Sequence, residues 1–258
     1  MNEPVVERAL ALIEVGRAPQ AVEALRAAGV PDQGSTRACC VLAQAAIQAK
    51  DWPVADRASG MALARSPQSE WALRLKAMAL TGVGLHAEAE RVAREAVAVG
   101  PYLAATHMTL ARCQFKARDL IGARASATTA LELDPTDPSI SALLGHIELD
   151  RHSNRAAQAH LTRSIELDPL QADVLNNLGV VAQRRHRYLT AARRFRASLS
   201  VHPLPIAATN LKHAQRFVWV LPLLVVAGLV LAASAPWMLG AFAVVQGARY
   251  AYDRWIDP

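Results

Sequence analysis

The sequence predicts an all-α fold, a stack of helix pairs followed near the carboxyl terminus by an apolar segment long enough to be read as membrane-embedded. Three observations predict it. Proline recurs at Pro67, Pro101, Pro135, Pro169 and Pro203, each 34 residues after the last. Alanine keeps the same step through Ala21, Ala55, Ala89, Ala123, Ala157 and Ala191. No charged residue stands between Arg216 and Arg249, and Phe217 to Val245 is an almost unbroken apolar run.

A period of this length marks a solenoid, in which one repeat cannot bury its own apolar face and stacking is obligatory. Short fragments repeat in step with the prolines: ALELDPTDP at 130–138 is echoed by SIELDPLQA at 164–172. Residues 2–35 form an atypical or capping unit, with Gln33 where proline is expected. Five regular units fill 36–205. The last reads as ADVLNNLGVVAQRR, then HRYLTAARRFRASLS, then VHP: two amphipathic helices and a stop. Proline ends the second helix because the residue before it is pushed out of the helical region. The alanines lie where two helices of a pair approach closely.

On these residues the chain resembles the tetratricopeptide repeat family. In the last unit Leu175, Leu178, Gly179, Ala191, Phe195 and Pro203 fit the family pattern. In the one before it Leu144, Gly145, Ala157, Leu161 and Pro169 do so. The resemblance covers roughly residues 2–205 and implies a TPR-like superhelical solenoid. It also implies a concave groove, lined by the first helix of each pair, that accepts an extended peptide or a partner helix. Mapped onto this chain, the groove candidates are Arg37, Gln44, Trp71, Arg74, Arg112, Phe115, Lys116, His146, Asn176, Asn177 and Arg184. Arg and Lys there favour an acidic partner segment, and each residue is equally readable as part of a solvated helix face. The Lys and Asn clamp with which some family members hold a chaperone's carboxylate is not reproduced. Asn177 fits one of its places, but Val41, Leu75, Thr109 and Leu143 fill the equivalent ones.

Composition bounds the remaining classes. The chain is 52% apolar and 19% charged, so it can bury a large core with apolar sequence left over. Lys and Arg against Asp and Glu number 15 against 17 over residues 1–150, but 11 against 3 over 151–216. The basic cluster RRHRYLTAARRFR at 184–196 reads as a membrane flank that attracts anionic lipid, or as a solvated face, in preference to a nucleic-acid contact. No phosphate loop, zinc-protease helix, nucleophile elbow or zinc-spaced cysteine pair is present, so the sequence predicts neither an enzyme nor a cofactor. Cys39, Cys40 and Cys113 are an odd, sparse set, expected as reduced thiols on helices. His146, His152 and His160 are six and eight residues apart, which puts them on different faces and argues against a metal site.

The amino-terminal stretch MNEPVVERAL carries Glu3 and Glu7 and has no secretory pattern, so the repeats are expected in the cytoplasm. After a basic juxtamembrane linker, 206–216, residues 217–254 are expected to cross a membrane. As one straight helix, 217–245 would run about 43 Å, against a hydrocarbon core of about 30 Å. Pro236 offers a break, and Trp219, Trp237 and Trp255, 18 residues apart, are candidate interface anchors together with Lys212, Arg216 and Arg249. This favours a transmembrane hairpin over one tilted span. Ala- and Arg-rich usage suggests a bacterium. The expectation is thus a scaffold in the bacterial inner membrane that binds a cytoplasmic protein or peptide. The alternative is a membrane-shaping or lipid-contacting protein acting through the hairpin and its basic flank.

Overall fold

The computed structural model describes residues 3–30 and 34–234 and divides the chain into two compact units, residues 1–169 and 170–258. Among the described residues all regular structure is helical. The first unit holds five helix pairs: α1 (Glu3–Glu14) with α2 (Ala18–Ala27), α3 (Thr36–Gln48) with α4 (Trp52–Arg65), α5 (Glu70–Val83) with α6 (His86–Val99), α7 (Ala104–Lys116) with α8 (Leu120–Leu133), and α9 (Pro138–Asp150) with α10 (Asn154–Leu167). The second holds α11 (Ala172–Arg184), α12 (Tyr188–Val201) and α13 (Pro205–Ser234). Odd-numbered helices up to α11 open a repeat and even-numbered ones close it.

Each repeat makes its internal turn in one way. The residues at 16, 50, 84, 118, 152 and 186 all take the left-handed conformation: Gly16, Lys50, Gly84, Arg118, His152 and His186, with φ between 57° and 94°. The next amide then reaches back five residues, as from Asp51 N to the Ala46 carbonyl at 2.8 Å and from Arg187 N to that of Ala182 at 2.8 Å. This closing bond satisfies carbonyls that the helix end leaves bare. Asp51 and Asp119 then cap the following helix, accepting from Val54 N at 3.3 Å and Gly122 N at 2.9 Å.

The prolines act as their spacing implies. In all five cases the second helix ends two residues earlier, and the intervening residue, Ser66, Gly100, Asp134, Asp168 or His202, leaves the helical region. All six repeated alanines have no exposed surface. A second small position lies opposite a variable partner. A Cβ on Gly145 would stand 2.5 Å from the Leu161 side chain, and one on Gly179 2.4 Å from Phe195. At the equivalent places Ala77 shares a core cluster with Ala93, and Ala111 with Ala127, so a Cβ on the opening helix goes with a smaller residue on the closing one.

In the first unit each opening helix touches its neighbouring opening helices, each closing helix packs on its own partner, and α2, α4, α6 and α8 also pack on the opening helix that follows. Opening helices therefore form one layer and closing helices the other. One arc of each opening helix is left without a closing helix over it.

One expectation about the carboxyl-terminal region is overturned. Residues 206–216, expected as a basic juxtamembrane linker, form the first part of α13, where Ala207 and Ala214 are fully buried and Leu211 packs beside Phe195. Asn210 falls 34 residues after Asn176. The helix thus starts where another repeat would open and continues past the place where that repeat would turn. Among the described residues no helix is long and apolar enough to cross a membrane. That finding overturns the expectation of an integral protein of the bacterial inner membrane. Trp219 falls within α13, at a position whose side chain is not described. Trp237, Arg249, Trp255 and the returning arm of the hairpin lie outside the described residues.

Candidate partner-binding face

The uncovered arc is clearest on α5. Trp71, Arg74, Met78 and Thr81 fall within about 80° of one another at 100° per residue, and all four are half-buried. Ala72, Leu73, Leu75, Ala79 and Leu80 fill the opposite side and are buried. Adding or subtracting 34 gives the corresponding arcs: Arg37, Cys40, Gln44 and Ile47 on α3, and Ala105, Met108, Arg112 and Phe115 on α7. On α9 the arc is Ser139, Ala142, His146 and Leu149, with Ala142 and Leu149 buried. We call the side formed by these arcs the inner face.

The structure brings eight of the expected groove residues to the inner face or its edge in the first unit. Trp71 packs by one side against the core that includes Leu75 and Cys40, and Phe115 against Ala111 and Leu143. Gln44 and His146 are half-buried, and Lys116 is exposed at the end of α7. The three arginines differ in surroundings. Arg37 is held by Glu3 and by Glu7, the latter at 2.6 Å. Arg74 lies 3.1 Å from Glu70. Beside that pair the Cys40 thiol is pushed up to about 12, by burial first and then by Cys39 and Glu70, against the opposing effect of Arg74. Arg112 is exposed at its tip, and the burial of its stem holds its guanidinium below the ordinary value, with Asp137 acting in the opposite sense.

The other three expected groove residues belong to the second unit. Asn176 is buried and already committed: its carbonyl oxygen accepts from Asn210 Nδ2 at 3.0 Å and its amide donates to Asn177 at 3.4 Å. It positions α13 and offers no open amide. Arg184 is exposed. The basic cluster that follows is split: Arg193, Arg194 and Arg196 are exposed on α12, whereas Tyr188 stacks on Phe217 of α13 with ring centroids 4.6 Å apart. His213 meets the same Phe217 edge-on at 5.4 Å, so the aromatics of this region fasten α13. Lys212 and Arg216 are exposed on α13.

Sequence reasoning missed Met78 and Met108, which stand between the cationic residues on the inner face. The signal was available, because Gln44 plus 34 is Met78 and Arg74 plus 34 is Met108.

No family model and no curated protein matches this chain. Solved structures do. TTC0263, a thermophilic TPR protein of Thermus thermophilus, superposes with a TM-score of 0.65 at 18% identity over 71% of this chain and 100% of its own. The fold is that of the tetratricopeptide repeat. Pseudomonas aeruginosa pilF gives a TM-score of 0.61 at 18% identity, covering 83% of this chain and 96% of that one. YrrB, described as a TPR protein with an unusual peptide-binding site, gives 0.51 at 18% identity over 75% of this chain and 100% of that one. At such identities the likeness carries the fold and leaves the function to the residues.

Proposed function

We propose that this chain is a non-catalytic interaction scaffold that holds a peptide segment of a protein partner against the inner face of its first unit. The observation that carries this reading is the makeup of that face. Trp71, Met78, Met108 and Phe115 are large apolar side chains left half-buried, in register across two neighbouring opening helices and interleaved with Arg74 and Arg112. Half-buried aromatics and methionines beside cations are the composition of interface centres. A solvated helix face has no use for them. The peptide-binding site reported for YrrB, on a chain of similar fold, agrees with this use of the architecture.

The cations on this face favour an acidic segment, which docks either extended or as a helix laid along the layer of opening helices. The test is capture of a partner by the full-length chain and by a Met78→Gln, Met108→Gln double variant. A partner that binds the first and is lost from the second, with the melting curve of the variant unchanged, supports the reading. Equal capture by both contradicts it.

A further inference from the structure

Three arginines stand on the inner face of the first unit, and their surroundings differ in a way that assigns them different work. Arg37 is clasped by two carboxylates of α1, Glu3 and Glu7. Arg74 has Glu70 one turn before it on the same helix, at 3.1 Å. Arg112 has no hydrogen-bond or ion-pair partner among the described residues. The acid that acts on it is Asp137, whose carboxylate already accepts the Ser139 amide at 2.7 Å as the cap of α9. Lys116, one turn on, likewise has no ion pair among the described residues. Other acids of α9 are engaged elsewhere, Glu148 by Arg124 at 2.7 Å and Asp150 by Arg118 at 2.6 Å. An exposed cation whose one acting acid is engaged as a helix cap is therefore flanked by Met108 one turn before and Phe115 one turn after, with Met78 at the matching place on α5.

We propose that Arg112 is the acid-reading residue of this face: it takes the carboxylate of a single Asp or Glu in the partner segment, while Met78, Met108 and Phe115 take apolar side chains on either side of it. This inference rests on the inner-face reading above. A carboxylate arriving at Arg112 makes charge-assisted hydrogen bonds that the guanidinium lacks. One arriving at Arg37 must displace two carboxylates already in place, and one arriving at Arg74 meets the negative charge of Glu70 3.1 Å away, so each gains less. The recognised pattern is one acid between apolar residues and not an acidic run. The methionines, flexible and polarisable, tolerate variation in the apolar partners.

Peptide-phage selection on the immobilised full-length chain and its Arg112→Gln and Arg74→Gln variants tests this. The wild-type chain and Arg74→Gln enrich segments with one Asp or Glu between apolar residues, and Arg112→Gln keeps the apolar preference but loses the acid. In a synthetic copy of the wild-type consensus, changing the acid to its amide weakens binding to the wild-type chain about tenfold or more, a comparison that needs no variant protein. A wild-type consensus without an acid, or the same acid enriched by Arg112→Gln, overturns the assignment and leaves the inner face standing. No enrichment by the wild-type chain, or enriched peptides indifferent to Met108→Glu, overturns both.

Discussion

Gly179 and Phe195 occupy one space between α11 and α12: a Cβ built on the glycine would stand 2.4 Å from Cε1 of the ring, inside any permissible contact. Gly145 and Leu161 stand in the same relation at 2.5 Å. Gly179→Ala is therefore expected to destabilise the second unit by about 1–3 kcal/mol through overpacking. Phe195→Leu in the same chain, by shortening the opposing side chain, recovers part of that loss. Urea unfolding of the single and double variants checks both, and equal stabilities of Gly179→Ala and wild type would contradict the packing argument.

The left-handed turn positions give a second expectation of opposite sign at two equivalent sites. Lys50 holds φ 59° at a place where Gly84 holds 94° in the next repeat. A Cβ in that region is strained, so Lys50→Gly stabilises by about 1 kcal/mol and Gly84→Ala destabilises by about the same. Nothing lies within 4 Å of a Cβ at Gly84, so the effect there is conformational and not a clash. Midpoints of urea denaturation measure the pair.

The three thiols are inert in the fold. Cys39, Cys40 and Cys113 are free and buried, and burial raises the pKa of each, that of Cys40 to about 12. A thiol reagent at pH 8 is expected to label them slowly in the native chain and at once in denaturant. Because the folded thiol holds its proton more tightly than the unfolded one, their contribution to stability is complete below the ordinary value of 9.0 and is lost as pH rises from there toward 12.

His160 sets a limit on the acid side. Burial, with Arg124 and Arg163, lowers its pKa from 6.5, against the attraction of Glu148, whose side chain is 4% exposed and lies 2.7 Å from Arg124. The unfolded imidazole therefore binds its proton first. Stability is full above about pH 6.5 and declines as pH falls below it. His160→Gln is expected to flatten that decline, and thermal unfolding across pH 5 to 8 measures it.

The repeat itself was legible because proline and alanine report backbone facts that one residue type satisfies best: a stop after each closing helix and a close approach between paired helices. The turns between helices were not, although their spacing is as regular. Gly16 and Gly84 carry the signal, but Lys50, Arg118, His152 and His186 conceal it, since a tertiary context that closes the turn accepts them in the left-handed region. The proposed site was legible in part. The expected groove residues include Trp71, Arg74, Arg112 and Phe115, omit Met78 and Met108, and include Asn176, whose amide is spent on α13. What a side chain is bonded to does not follow from its place in a repeat. For the carboxyl-terminal segment, apolar length invited a membrane reading. Among the described residues no helix is long and apolar enough to cross a membrane, and the helix that carries the start of that segment begins at Pro205, with Ala207 and Ala214 buried in the second unit.

The central claim is that the partner lies on the inner face of the first unit, and the most direct measurement places a photoreactive residue there in the full-length chain. Met108 and Met78 are the inner positions, and Ile121, 78% exposed on α8, is the outer control. In cells that express the protein, illumination is predicted to join one partner segment to the chain from both methionine positions and not from Ile121. An adduct from Ile121, with none from either methionine, would contradict the account.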